Sequence, residues 1–575
     1  MRISPLILLG LLSSSTASAM ELYGTGPLAS STLLINSSSY LRYRRVEDKL
    51  PGFEELNLLD YVEQVQRLSL TLNKDRTTVG ARFDEVALFG NRYILDDELY
   101  YDWTLYDSTI QSPFPSALFM LEKLYITQRW DNLELTLGDT YASFGRGIAL
   151  NVVRNSGLDI DTSLRGAKME LGSGDILFTA LTGLTNRQQI NRLNINVGLD
   201  KDLPHMISGA RLEHFGLGPA QAGIHGVIAR FGREEDREQS PISRYEDELD
   251  ATIVGANAEA FGIFGADWYL EGDLFGYRTP EIAGQDEPLQ GWAVYGSSTL
   301  YPGIVTILAE GKASKNTERI NAFIAADNWE MSTPPPLEYE RVITEDSSAA
   351  VNSNDIFGGR VRGDLSLSSG SVIPYASIMM MRDRDITGLH FNRSPETIVH
   401  PITGGQFFTG NKIIIVNGGY RRDVRDDAAE GFDQLIHCDG EFSTPTFGDE
   451  GLELAVSVRR FRWGNNPQGQ EDFLTMENAV VWKRGEKLDL ILYQDWTNNP
   501  LIPAVGNTAP VVDALFGADW GKNLYFAFEA QYKPTPASQL TALLGAYKAG
   551  IRCSGGQCRT LPGFNGAEIT YTTQF

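Results

Sequence analysis

In the stretch KNLYFAFEAQYK one face is wholly apolar, with Leu524, Phe526, Phe528, Ala530 and Tyr532 alternating with Tyr525, Ala527, Glu529, Gln531 and Lys533. A period of two is that of an extended strand, whose successive side chains point to opposite faces. The same rhythm recurs in GLELAVSVRR, where Leu452, Leu454, Val456 and Val458 oppose Glu453, Ala455, Ser457 and Arg459. In GADWYLEGDLF, Trp268, Leu270, Gly272 and Leu274 oppose Asp267, Tyr269, Glu271 and Asp273. A chain of such strands must either pack two sheets face to face or curl one sheet around a wet interior.

The connections decide between these. Tight turns are expected at RWDNLE (129–134), LGSGDI (171–176), FGLGPAQ (215–221), GIFGAD (262–267), LYPGIV (300–305), LSSGSV (367–372), FGDEGL (447–452), KRGEKL (483–488) and KPTPAS (533–538). Between them lie longer polar connections at 186–203, 232–249, 278–289, 315–355, 463–471 and 497–521. Short turns at one rim and long loops at the other belong to a barrel that crosses a membrane. A soluble sandwich has less reason for that asymmetry. No stretch beyond residue 19 is long and apolar enough for a transmembrane helix, whereas a barrel strand needs only ~9–11 residues with alternate positions apolar. The expected fold is all-β: a single large antiparallel transmembrane β-barrel of about 20–24 strands, with short periplasmic turns and long extracellular loops. Segments 386–400 and 97–107 fit the rhythm least, and the second is left out of the strand count.

The opening MRISPLILLGLLSSSTASA has Arg2, an apolar run from Pro5 to Leu12, and Ala17-Ser18-Ala19. It reads as a cleaved signal peptide over 1–19, leaving 20–575 as the barrel. A net charge of -25 argues against a nucleic-acid partner, whose phosphates call for Lys and Arg. Cys553 and Cys558 in RCSGGQCR are close enough for a disulfide that pins one loop, and Cys438 is then left over.

The chain finishes on NGAEITYTTQF, with Ala567, Ile569, Tyr571, Thr573 and Phe575 opposite Glu568, Thr570, Thr572 and Gln574. This ending suggests a strand that closes the structure. It resembles the terminal signal of bacterial outer-membrane proteins: Ile569, Tyr571 and Phe575 fit, while Thr573 stands where a larger hydrophobe is common. The resemblance implies the outer membrane of a Gram-negative bacterium, with lipid, lipopolysaccharide and the barrel-assembly machinery as partners. A second stretch, GDTYASFGRGIALNVVRNSGLDIDTSLRG (138–166), resembles an uncharacterised family of bacterial outer-membrane proteins, a domain of unknown function. It brings no established activity with it. The first strand candidate, TLLINSSSYLRYRR, begins soon after the expected cleavage site, without space for the N-terminal plug of TonB-dependent transporters or for periplasmic domains. A lumen plug would have to come from a loop.

The 138–166 stretch concentrates Asp139, Arg146, Arg154, Asp159, Asp161 and Arg165 among Gly138, Gly145, Gly147, Gly157 and Gly166. Glycines in a strand permit a bulge, a kink or close approach of another backbone. A bend of that kind would fold the segment inward and set these charges across the lumen, the functional reading being a pore constriction. The plainer alternative is that they form structural salt bridges or lie in a loop. The acidic runs REEDREQ (233–239) and RYEDELD (244–250) read as solvated loop charge and lack the spacing of a Ca²⁺ loop. The six histidines are scattered, without an H-E-x-x-H pair or paired C-x-x-C motifs, so no metal site is assigned. There is no G-x-S-x-G elbow, P-loop or intact dinucleotide fingerprint, so neither a catalytic residue nor a cofactor is assigned, and the chain is not expected to be an enzyme. The expectation is a passive, porin-like pore for small hydrophilic solutes with a mild cation preference. The alternative is a non-conducting structural or interaction barrel, a surface anchor or part of a secretion or motility complex, docking through 315–355.

Overall fold

The computed structural model describes residues 20–22, 31–47, 58–91, 116–155, 160–186, 205–230, 250–278, 290–315, 317, 330–332, 356–383, 396–425, 432–446, 449–463, 471–498, 524–547, 550–554, 557–561 and 564–574. Residues 1–19, expected to be a signal peptide, together with 97–107, 233–239, 244–249, Asp159 and Phe575, lie outside them.

Twenty-four antiparallel strands form one sheet, each paired with its sequence neighbours. The last, Phe564–Gln574, pairs with the first long strand, Ser31–Glu47, from Asn36↔Gln574 to Arg44↔Gly566, and this closes the barrel. A short segment, Met20–Leu22, lies against the start of that first strand. Closure leaves no sheet edge, so backbone groups are satisfied between strands and hydrocarbon can surround the wall. Among the described residues, no helix is long and apolar enough to cross a membrane.

The alternation read from sequence sorts the two faces. Leu41, Ile224, Val254, Leu274, Val361, Met380, Ile436, Leu544 and Ile569 are 46–68% exposed on the outside. Their neighbours along the strands, such as Arg42, His225, Ile253, Asp273, Arg360 and His437, are buried on the inner face. A water-soluble monomer rarely exposes apolar patches beyond ~300–600 Å². This belt runs around the whole wall, which makes hydrocarbon its solvent. Trp130, Trp268 and Tyr301 stand exposed at the short-turn rim, where an amphipathic ring meets lipid and water at once.

All nine expected turns fall where only a few residues separate two strands, with 447–448 of one outside the described residues, and two more occur at Asp75–Arg76 and Gly410–Asn411. Asp75 (φ 49°) and Gly410 (φ 59°) take the left-handed conformation that a two-residue hairpin demands. Of the stretch 386–400, residues 396–400 belong to the strand Glu396–Thr409, and 386–395 lie outside the described residues.

Two loops meet over the opposite rim. Glu330–Ser332 pairs with Gln557–Leu561, which pairs with Gly550–Ser554, forming a three-stranded sheet. The first loop follows Val305–Lys315 and the second precedes the closing strand, so the pairing joins distant sectors of the wall. Cys553 and Cys558 face each other in register within this sheet, and Cys438 is free and exposed on the outer face. If the pair is oxidised, thiol titration of the denatured protein will count about one free thiol per chain before reduction and about three after it. Three before reduction would rule out the disulfide.

Candidate functional site

Between the wall strands Leu133–Thr140 and Ser163–Ser173, the connection 141–162 turns into the barrel. It forms two small hairpins, Ala142–Phe144 with Leu150–Val152 and Arg154–Asn155 with Ile160–Asp161. Gly145 (φ 58°) and Gly147 (φ 89°) make the first turn, where Gly147 N donates to Phe144 O at 2.9 Å. A side chain at either position would be strained. Phe144, Ile148, Ala149, Leu150 and Val152 are at most 6% exposed and form one cluster with inward residues of the wall, among them Leu181, Ile207, Val227, Ile253, Phe275 and Met379. In this sector the inner face of the wall is therefore largely apolar, like the outer one. Lipid solvates one side, and the segment covers the other.

Polar anchors fix both ends of the segment. At its C-terminal end, Asp161 accepts from Arg82 Nη1 and from the Tyr141 hydroxyl, each at 2.5 Å. Arg82 also holds Asp84 through Nε at 2.8 Å and Nη2 at 2.7 Å, a bidentate fork that fixes the guanidinium plane. Burial and the Asp161 carboxylate push the Tyr141 hydroxyl above its ordinary range, so it remains a donor. Near the N-terminal end, Glu271 Oε2 accepts from Arg146 N at 2.7 Å and from the Tyr269 hydroxyl at 2.5 Å. Gly145 lies so near that a Cβ there would run into the Glu271 carboxylate. The Arg146 guanidinium stacks over the Tyr269 ring, 4.5 Å from its centroid.

A bulge supplies another part of the site. Arg82 pairs with Lys123 but Phe83 pairs with Leu121, leaving Glu122 as the extra residue. Glu122 and Lys123 are consequently both buried, while Leu121 and Leu124 are both exposed on the outside. Lys123 Nζ donates to Asp161 O at 3.0 Å, Ser163 Oγ at 2.8 Å and Asn186 O at 2.8 Å. Asp139 accepts from Leu124 N at 2.7 Å, Ser163 Oγ at 2.8 Å, Asn186 Nδ2 at 2.7 Å and Arg165 Nη2 at 3.2 Å. It thereby satisfies backbone at the end of the pairing between Ser116–Arg129 and Leu133–Thr140.

Of the six charges read from sequence, Asp139 and Arg165 sit together in the wall, and Asp161 anchors the inward segment. Arg146 and Arg154 lie on that segment, with the Arg154 side chain 64% exposed and its Nε 3.7 Å from Asp161. Asp159 is outside the described residues. Sequence reading missed Arg82, Asp84, Lys123 and Glu271. The run L-E-K-L at 121–124 breaks the alternation and is the signal that marks the bulge.

Elsewhere the inner wall carries cross-strand and same-strand ion pairs: Arg42–Glu568 at 2.7 Å, Arg360–Glu310 at 2.6 Å, Arg362–Asp364 at 2.7 Å, Arg459–Glu477 at 3.5 Å, and Arg421–Asp423. Arg362 also lies 4.1 Å from the Tyr375 ring centroid. His400 and His437 approach Nε2 to Nε2 at 3.0 Å, and His437 Nδ1 lies 2.7 Å from Asp439.

A family of unknown function, DUF6029, matches residues 114–211, a span that includes 138–166. No curated protein matches the sequence. Among solved structures, the translocation pore of the P pilus usher PapC is 9% identical, with a TM-score of 0.41, covering 94% of this chain and 99% of that one. The siderophore receptor PirA from Pseudomonas aeruginosa is 8% identical, with a TM-score of 0.45 and coverages of 94% and 80%. The outer-membrane protein opdK from the same organism is 12% identical, with a TM-score of 0.35 and coverages of 75% and 98%.

Proposed function

We propose that this barrel resides in the outer membrane and acts as a passive, porin-like pore for small hydrophilic solutes, narrowed from within by 141–162. The observation that carries this reading is the segment itself, folded inside a closed wall and tied to it by Asp161 and Glu271. A plain membrane anchor has no need of such an insert. Arg146 and Arg154 on the segment would be the charges a solute meets, with Asp161 and the wall pair Asp139–Arg165 holding them in place. Width and lumen charge would then set the barrier, with no bond made or broken. The chain's net charge of -25 supports a mild preference for cations. In this reading Ile569, Tyr571 and Phe575 form the insertion signal met by the barrel-assembly machinery.

Refolded mature protein in a planar bilayer is expected to give steady single-channel steps, with a reversal potential of cationic sign under a KCl gradient. Neutralising Arg154 (R154Q) should strengthen that cation preference. A folded, heat-modifiable barrel that never conducts would retire the pore. The three-stranded sheet across the rim would then favour the second reading, an interaction barrel whose partner docks on the long loops, especially 315–355.

A further inference from the structure

Beneath Phe144 and Gly145, three acidic or imidazole side chains of the wall meet, and the anchoring of the segment by Glu271 leaves His225 and Asp273 without a role. His225, Glu271 and Asp273 each offer a ligand atom, all within 4.8 Å of one another. His225 Nε2 lies 2.7 Å from Asp273 Oδ1. The two residues stand on strands separated by Asp250–Ile263, and they meet across Gly255, where a Cβ would collide with both. Glycine here is a packing requirement, since only its missing side chain lets imidazole and carboxylate touch.

The charge balance makes this cluster unusual. The three residues are 4%, 0% and 2% exposed, sealed from the lumen by the inward segment, with the Phe144 ring 5.9 Å from His225. Among the described residues, hydrogen bonds reach Glu271 Oε2 from two neutral groups, the Arg146 backbone and the Tyr269 hydroxyl. The guanidinium of Arg146 is spent on the Tyr269 ring, and Arg211 pairs with Glu213 at 2.7 Å. Among the described residues, His225 Nδ1, Glu271 Oε1 and Asp273 Oδ2 have no hydrogen-bond partner. Buried charges are ordinarily paired with an opposite charge or coordinate a metal.

We propose that His225, Glu271 and Asp273 bind a divalent transition-metal ion of the zinc class. One imidazole nitrogen with two carboxylates is a borderline donor set, suited to Zn²⁺, Co²⁺ or Mn²⁺ better than to Ca²⁺ or Mg²⁺, which prefer oxygen ligands throughout. The cation neutralises the two acids and, through Glu271, locks the turn at 145–146 onto the wall. This site stands apart from the conductance reading, because ion occupancy is measured on the folded barrel whether or not it conducts.

The test is elemental analysis of untagged, refolded mature protein after equilibration with Zn²⁺ and washing, with Co²⁺ absorption as a report on ligation. About one tightly held zinc per barrel is expected. Because even an indirect partner of a ligand is worth ~10–100-fold in affinity, H225Q, E271Q and D273N should each lose at least that much. G255V, which changes no ligand but fills the gap between His225 and Asp273, should do the same. H400A/H437A should retain the ion, which separates this site from the other histidine pair. Heat modifiability shows that each variant is folded; should one carboxylate variant fail to fold, H225Q and G255V carry the test. Zinc content or Co²⁺ bands unchanged in folded H225Q would overturn the proposal, as would wild-type protein that holds no zinc and leaves the acids neutralised by protons.

Discussion

Replacing Leu150 with aspartate is expected to raise single-channel conductance severalfold while leaving the barrel folded. Leu150 is fully buried in the contact between the inward segment and the wall. Losing that burial costs ~1.5–3 kcal/mol. The new carboxylate adds a desolvation cost of several kcal/mol unless the segment lets water in. A hairpin anchored at two points is poorly placed to absorb both costs, so the first hairpin, Ala142–Phe144 with Leu150–Val152, should leave the wall and widen the passage. The strands themselves keep their ladder, because the position contributes nothing to the sheet. Leu150→Ala should give a smaller change with more open-channel noise. The lipid-facing Val254→Ala should give none. Unchanged conductance in a folded Leu150→Asp barrel would mean that the segment does not limit flow.

Much of the fold was legible because a membrane wall imposes one rule on every strand. An outward residue meets hydrocarbon and its neighbour does not, so Leu270 and Leu274 separate from Glu271 and Asp273 by counting alone. Turn chemistry was equally local: Gly410–Asn411, one of the two turns not expected from sequence, is a Gly-Asn hairpin signal between Phe407–Phe408 and the apolar stretch Ile413–Val416. The site was harder. The glycines of 138–166 allowed an inward bend, which the structure makes over 141–162, but they did not settle it or say what the segment bends against. Inward charges are expected all around such a wall, so nothing in sequence distinguished Arg82 or Glu271 from Arg42 or Glu310. The apolar inner sector was visible only as alternation that fades, as in GVIAR, where Val227 and Ala229 face in and Ile228 faces out. A second failure of alternation, L-E-K-L at 121–124, marked the bulge. Departures from the rhythm located the site better than the charges did.

Arg82→Ala is expected to cost the folded barrel ~3–5 kcal/mol, the usual penalty for removing one partner of a buried ion pair. Arg82 lies between Asp84 and Asp161, which are 0% and 4% exposed, and its fork binds the first while Nη1 binds the second. Two cations remain nearby, Arg67 at 3.4 Å from Asp84 and Lys123 at 3.7 Å from Asp161, so the loss should fall at the lower end of that range. Lysine cannot replace the fork, because an ammonium cannot hold one carboxylate bidentately while reaching the other. Arg82→Lys should therefore recover only part of the stability. The pairing is tested by urea unfolding in micelles for Arg82→Ala, Asp161→Asn and the double variant. If Arg82 and Asp161 act as one anchor, the double variant loses clearly less than the two singles together, since removing the acid also removes the unpaired charge. Conductance should rise in all three as the end of the segment at Asp161 detaches. Additive losses with unchanged conductance would show instead that Arg82 serves the wall through Asp84 alone, and that the apolar face around Leu150 holds the segment without it.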